Sequence, residues 1–143
     1  MAIYTTSIES KLSVADAFSY MAAFENVAQW DPGVLEAQRL TDGPVHLGTE
    51  FLVHTQTGKR KIPLTYRVTE FAEGSRLVLS AATSTLRSVD EIRVVANEGG
   101  STVTYKANLS LLGILRIANP FLNSTLQKIG DRARDGLRRE LNR

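Results

Sequence analysis

The chain has 143 residues, of which 43% are hydrophobic and 22% charged. This is the size and balance of one globular domain, and it excludes an intrinsically disordered chain. The absence of cysteine excludes disulfides, thiolate metal sites and a cysteine nucleophile. A formal net charge of +2 is too small to indicate a nucleic-acid-binding protein.

No apolar run reaches the roughly 18 residues that a membrane-spanning helix needs, and residues 1–12 lack the charged and apolar regions of a signal peptide. We therefore expect a cytoplasmic protein without a transmembrane segment. The sequence leaves open whether it is a monomer or a homodimer.

The first elements are a strand and two short helices. Residues 2–9 are rich in β-branched and aromatic side chains, which predicts a strand. Ser13, followed three residues later by Asp16, resembles a capping box and predicts the start of a helix. A second short helix is predicted over residues 25–30, and it ends before Pro32 because the residue preceding proline disfavours the α region.

After Gly33 the period of the apolar residues changes from helical to alternating, which predicts strands. The alternation is clearest in residues 61–71 and 101–110, where every second side chain is apolar and points to one face. Glycine-containing turns separate the segments. The predicted strands are residues 34–40, 49–57, 61–71, 76–82, 87–96 and 101–110.

The C-terminal part predicts a long helix. Asn119 is expected as its N-cap and Pro120 as its first helical residue, with a helical lead-in over residues 112–118. Arginines lie opposite a single apolar stripe. The stripe, at steps of three and four, is Leu122, Leu126, Ile129, Ala133 and Leu137.

These elements predict one α+β domain over residues 1–143: a seven-stranded curved antiparallel sheet around a long C-terminal helix, with two short helices after strand 1. The alternating apolar face of the sheet must be covered, and only the last helix is long and amphipathic enough to cover it. Since a curved sheet cannot contact a straight helix along its whole length, we expect an apolar cavity between them for a small hydrophobic ligand.

Strand parity and the helix stripe predict the walls of this cavity. Apolar side chains on an inner face are core by default, whereas a buried tyrosine hydroxyl needs a partner that a ligand could supply. The predicted apolar wall is Phe51, Val53, Leu64, Val68, Leu79, Ile92, Leu122, Leu126 and Ile129. The predicted polar groups are Thr55, Tyr66, Asp90 and Tyr105.

Motifs for metal, phosphate or hydrolase chemistry are absent, so no metal and no cofactor are predicted. Asp90 is the one carboxylate that parity places inward, where burial would raise its pKa and suit it to acid–base work. Tyr66 or Tyr105 could donate to a substrate oxygen. The alternative is that Asp90 is solvated near a strand end or paired with Arg87 or Arg93.

Four segments carry a family resemblance: SVADAFSYMAAFENVAQWDPGV, GPVHLGTEF, PLTYRVTEF and GGSTVTYKANLSLLG. Their order and spacing, before a long C-terminal helix, resemble the polyketide cyclase/dehydrase and lipid-transport family of the START-like (SRPBCC), helix-grip superfamily. The resemblance implies a cavity for lipids, sterols, polyketides or aromatic compounds, with Trp30 and the loop 43–48 near its mouth. It implies no shared set of catalytic residues.

Three functions remain open from the sequence. The first is binding or transport of a small hydrophobic ligand. The second is a cyclase, aromatase or dehydratase that uses Asp90 with Tyr66 or Tyr105. The third is a membrane-surface or partner-binding module, in which the basic face of the C-terminal helix and the exposed run 59–61 contact anionic lipid or an acidic protein.

Overall fold

The computed structural model describes residues 1–143, and it has the predicted α+β architecture. The strands are β1 (Ala2–Ser10), β2 (Val34–Arg39), β3 (Glu50–Thr57), β4 (Arg60–Ala72), β5 (Arg76–Ala82), β6 (Leu86–Asn97) and β7 (Gly100–Leu111). The helices are α1 (Val14–Ala22), α2 (Val27–Trp30) and α3 (Asn119–Glu140), with 3₁₀ turns at Phe24–Asn26 and Gly113–Ala118.

All seven strands form one antiparallel sheet in the order β1-β7-β6-β5-β4-β3-β2. The first strand therefore pairs with the last, with Ala2 opposite Leu109 and Ser10 opposite Ser101. Irregularities interrupt the register after Val34 and after Val68. Such bulges bend a strand and increase its twist, which suits a sheet that curves around a helix.

The start of α1 confirms the predicted cap. The Ser13 hydroxyl accepts a hydrogen bond from the backbone N–H of Asp16 at 3.1 Å, which satisfies one of the free N–H groups at the helix terminus. The helix buries Ala17, Phe18 and Met21 against the sheet. The ring of Phe18 lies 5.9 Å from that of Phe71, so α1 fills the inner face at one end of the sheet.

The predicted cap of α3 is wrong. Asn119 is the first residue of the helix rather than its N-cap, and no side chain caps that terminus. The Asn119 amide instead accepts from the backbone N–H of Leu111 at 2.9 Å and donates to the carbonyl of the same residue at 3.3 Å. This side chain therefore ties the helix start to the end of β7, a contact that local sequence cannot indicate.

Two glycines let α3 lie directly on its neighbours. Gly130 faces the ring of Tyr4 in β1, and Gly136 faces the backbone carbonyl of Trp30 at the end of α2. The Tyr4 hydroxyl also donates to Asp131 at 2.9 Å, and the Ser10 hydroxyl donates to the carbonyl of Leu141 at 2.6 Å. The helix is thus held along β1 rather than over the middle of the sheet.

No helix in the structure contains an 18-residue stretch apolar enough to cross a bilayer.

We expect Gly136→Ala to lower the free energy of unfolding by about 3 kcal/mol, because its methyl group would overlap the Trp30 carbonyl, which is rigid backbone. Chemical denaturation of both proteins measures the difference. Gly99→Ala is the control, since the nearest atom to its methyl group would be 4.0 Å away. Equal stability of wild type and Gly136→Ala would contradict the close contact.

Candidate ligand cavity

A cavity of about 650 Å³ lies between α3 and the concave face of the sheet. Its walls come from every strand except β5, from the segment 24–33 that precedes β2, and from residues 125–133 of α3. It reaches the hairpin between β3 and β4, where Thr57 and Gly58 belong to the wall. The cavity therefore occupies the end of the sheet opposite the region that α1 fills.

Eight of the residues that the sequence predicted for the cavity line its wall. They are Val53, Thr55, Leu64, Tyr66, Asp90, Tyr105, Leu126 and Ile129. All are strand or helix residues whose parity or periodicity points inward, so a pattern sufficed to find them. Thr55 also donates to the carbonyl of Ile62 at 3.0 Å, which leaves only its lone pairs for a ligand.

The other six predicted residues do not reach the wall. Phe51, Val68, Leu79 and Ile92 lie in the closed core, each at most 1% exposed, and Leu122 packs beside Leu126 and Ala2. The physical reason is that alternation defines a face, whereas the cavity occupies only part of that face.

Trp30, the sixth, is also core, at 2% exposed, and no residue of the loop 43–48 lines the cavity. The resemblance implied that both lie near the cavity mouth, and the structure places neither of them there. The indole contacts the ring of Tyr105 edge-on, with centroids 5.2 Å apart. Trp30 thus supports the wall from behind.

Four polar side chains form one connected network on the wall. The Tyr66 hydroxyl donates to the Ser88 hydroxyl at 2.9 Å, and Ser88 donates to Oδ1 of Asp90 at 3.2 Å. Tyr105 donates to Oδ2 of the same carboxyl group at 2.6 Å. All four residues are buried, so the network forms a buried polar part of the cavity wall.

Asp90 is neither solvated nor paired with an arginine, so that alternative is wrong. It is 3% exposed, and its hydrogen bonds come only from Tyr105 and Ser88. Arg93 pairs with Glu91 on the opposite face of the strand. The predicted strand, residues 87–96, differs from β6 by one residue at each end, and what the sequence did not show is that Ser88 and Tyr105 enclose this carboxyl group.

Burial raises the pKa of Asp90 to about 6, although the hydrogen bonds from Tyr105 and Ser88 oppose that rise. The pKa values of Tyr66 and Tyr105 are raised well above their ordinary value, first by burial and then by the Asp90 carboxylate. Both tyrosines therefore keep their protons at neutral pH, while Asp90 can exchange its own.

Sequence reasoning missed several polar residues of the wall, and Ser88 and Asp31 are the two with carboxyl or network contacts. Ser88 precedes Asp90 by two positions on the same strand, so the parity that selected Asp90 would have selected it as well. Asp31 lies in the turn after α2, where only helix termination was inferred. Its Oδ1 accepts from the N–H of Gly33 at 2.8 Å, and burial raises its pKa.

The buried part of the wall offers hydrogen bonding, apolar contact and proton exchange at the carboxyl groups of Asp31 and Asp90. No three His, Asp or Glu side chains come together in a way that could hold a metal ion. Neither histidine lines the cavity, and His54 pairs with Glu36 at 3.3 Å on the outer face.

The raised pKa makes Asp90 a pH-dependent destabilising group. Between its unfolded value of 3.8 and about 6, only the folded state holds the proton, so the free energy of unfolding falls as pH rises through this window. Above about pH 6 the carboxylate is ionised in both the folded and the unfolded state. Its burial then lowers the free energy of unfolding by about 3 kcal/mol.

We therefore compare the free energy of unfolding of wild type with that of Asp90→Asn. As the pH rises from about 3.5 to about 7.5, we expect wild type to lose about 3 kcal/mol relative to the variant. Urea denaturation across that range measures it, with the exposed Asp42→Asn as a control for loss of one negative charge. A stability difference that does not change with pH would contradict the cost assigned to this buried carboxyl group.

Comparison with known protein families identifies the family to which this chain belongs. A family model described as polyketide cyclase / dehydrase and lipid transport matches residues 1–142. No curated protein matches the sequence. The match covers the whole cavity wall, so the site lies entirely within the region that defines the family.

Solved structures with the same fold are similar over nearly the whole chain. A START superfamily protein from Mycobacterium smegmatis superposes with a TM-score of 0.80 at 10% identity, covering 99% of this chain and 97% of that chain. The protein TTHA0849 from Thermus thermophilus gives 0.76 at 10% identity, with coverages of 98% and 95%. At such identities the similarity shows the fold alone.

A third similar structure is the di-domain ARO/CYC protein BexL from the BE-7585A biosynthetic pathway. It superposes with a TM-score of 0.69 at 13% identity. The match covers 97% of this chain but 49% of BexL, so this chain spans about half of that protein's length.

Proposed function

Because the chain belongs to the polyketide cyclase/dehydrase and lipid-transport family, we propose that its cavity binds and carries a small hydrophobic ligand: a lipid, a polyketide or an aromatic compound. The observation that carries this proposal is the cavity itself, which combines many apolar wall residues with a buried polar network that ends at Asp90. Its volume of about 650 Å³ lies within the range of roughly 300–1,000 Å³ typical of small-molecule sites.

The wall chemistry supports a ligand with a long apolar part and one polar end. Apolar side chains from five strands and from α3 line the space, among them Val53, Leu64, Leu109, Leu126 and Ile129. Each square ångström of ligand surface that they remove from water contributes about 25 cal/mol. The polar network then fixes the orientation, because a polar ligand group loses its water on entering and needs partners there.

The enzyme alternative has one specific observation in its favour. Burial raises the pKa of Asp90 to about 6, so its carboxyl group, which accepts a hydrogen bond from Tyr105, can take or give a proton near neutral pH. These are the groups that a dehydration or cyclisation requires. The test is to incubate a bound ligand with wild type and with Asp90→Asn. Loss of water from the ligand in wild type alone would establish the enzyme.

Carboxylates offset part of the positive charge of the C-terminal segment. Arg134 lies 3.3 Å from both Asp131 and Asp135, and Arg143 lies 2.9 Å from Glu140. These pairs lower the positive potential that would attract anionic lipid, although Lys128 and Arg132 are exposed on the same helix. We propose the cavity as the functional part of the molecule because it holds a buried polar network.

Native mass spectrometry of the purified protein, followed by organic extraction, is the direct test of ligand binding. The expected result is a stoichiometric adduct of low polarity. A protein that carries no adduct and also fails to bind any neutral aromatic dye would contradict the proposed function.

We expect Ala107→Trp to weaken binding of a neutral dye, N-phenylnaphthylamine, at least about tenfold, or about 1.4 kcal/mol. Ala107 lies on the wall two residues after Tyr105, so the indole would occupy ligand space. Fluorescence titration measures the affinity. Ala96→Trp, at an exposed position of β6, is the matched control and should bind as wild type does. Equal affinity of the two variants would place the ligand outside the cavity.

A further inference from the structure

The hydroxyl hydrogens of the polar network are all used within it. A carboxylate can only accept, so Ser88 must donate to Asp90, and Tyr66 must then donate to Ser88. Tyr105 donates its hydroxyl hydrogen to the second carboxylate oxygen of Asp90. When Asp90 is ionised, only lone pairs remain for a ligand, so the ligand's polar end has to be the hydrogen-bond donor.

No cation compensates the charge of Asp90. The groups that face it are Ser88 on its own strand, Tyr105 from β7, and through Ser88 the Tyr66 hydroxyl from β4. The one other charged group that acts on its pKa is the Asp31 carboxylate in the turn after α2, which raises it further.

The cationic side chains of α3 do not compensate the charge of Asp90 either. Lys128 and Arg132 belong to the cavity wall, but both are exposed, and neither lies within ion-pair distance, 4.0 Å, of any carboxylate. The buried end of the cavity is therefore negative without a counter-ion. A buried carboxylate in that state gains most from a partner that brings positive charge.

Aromatic rings surround the same end of the cavity. The ring of Phe24 lies 5.1 Å from that of Tyr66, and Trp30 supports Tyr105 from behind. Phe24, Tyr66 and Tyr105 all belong to the wall. Aromatic faces attract cations through their negative quadrupole, and they also bury the apolar part of a ligand.

We propose that the cavity selects an apolar ligand whose buried end is a protonated amine, in preference to an alcohol and against a carboxylate. The ammonium group supplies both the hydrogens and the charge that the network lacks. An alcohol supplies one hydrogen and no charge. A carboxylate supplies neither and places a like charge beside Asp90. This inference rests on the proposed function, because it assumes that the ligand occupies this cavity.

The test compares three probes that share a naphthalene body: naphthylmethylamine, naphthylmethanol and naphthoic acid. Displacement of N-phenylnaphthylamine at about pH 7.5 gives their affinities, and the amine is ionised there. The expected order is amine, then alcohol, then acid. The amine should bind about tenfold more tightly than the alcohol, as expected when a hydrogen bond becomes charge-assisted.

Asp90→Asn should lower the affinity for the amine about tenfold and that for the alcohol less than about threefold, since only the amine depends on the negative charge. Asp42→Asn, which removes an exposed carboxylate, should leave all three affinities unchanged. Wild type at about pH 5 provides a second measurement that needs no variant. With Asp90 protonated, the preference for the amine should shrink.

The outcomes separate the two proposals. Naphthoic acid binding as tightly as the amine, or an amine preference that Asp90→Asn and low pH leave intact, would overturn the inference and leave the proposed function standing. Failure of the dye and of all three probes to bind would overturn the proposed function and the inference together.

Discussion

The position of α3 is the constraint on which the rest of the structure depends. Hydrogen bonds from Tyr4 and Ser10 hold the helix along β1, and Gly136 lets it touch the backbone of α2. Since β1 is the edge of a curved sheet, a straight helix fixed there cannot also contact the strands at the middle and far side. The cavity is the space that results, and residues 125–133 of the helix form one of its walls.

The strand order makes that position possible. β1 pairs along its whole length with β7, the last strand, so the beginning and the end of the chain meet at one edge. The helix that follows β7 then returns over β1, and the Asn119 amide fixes the place where it leaves the strand. Helix α1 covers the inner face at the other end of the sheet, where the ring of Phe18 packs against that of Phe71. Helices α1 and α3 thus cover different parts of the same sheet and leave a gap between them. The inner-face side chains that neither helix covers line this gap.

The polar network is costly for a cavity of this kind. A buried carboxylate with a pKa of about 6 destabilises the folded protein at neutral pH, and an apolar side chain in its place would not. Its hydroxyl donors reduce that cost without removing it, because none carries a positive charge. Such groups are characteristic of binding and catalytic sites, where a ligand supplies the missing interaction. The same carboxyl group serves either a carrier that recognises a polar end or an enzyme that moves a proton.

Periodicity in the sequence was sufficient for the element order, the buried faces of β4 and β7, and the inward direction of Tyr66, Asp90 and Tyr105, because alternation in a strand depends only on neighbours along the chain. It could not show that Phe51 and Ile92 lie in closed core while Val53 and Asp90 line a cavity, since all four share an inner face. That difference depends on where α1 and α3 cover the sheet. Only the tertiary structure decided it, because contacts such as Gly136 with Trp30 and Asn119 with Leu111 join residues that are distant or unrelated by any local pattern.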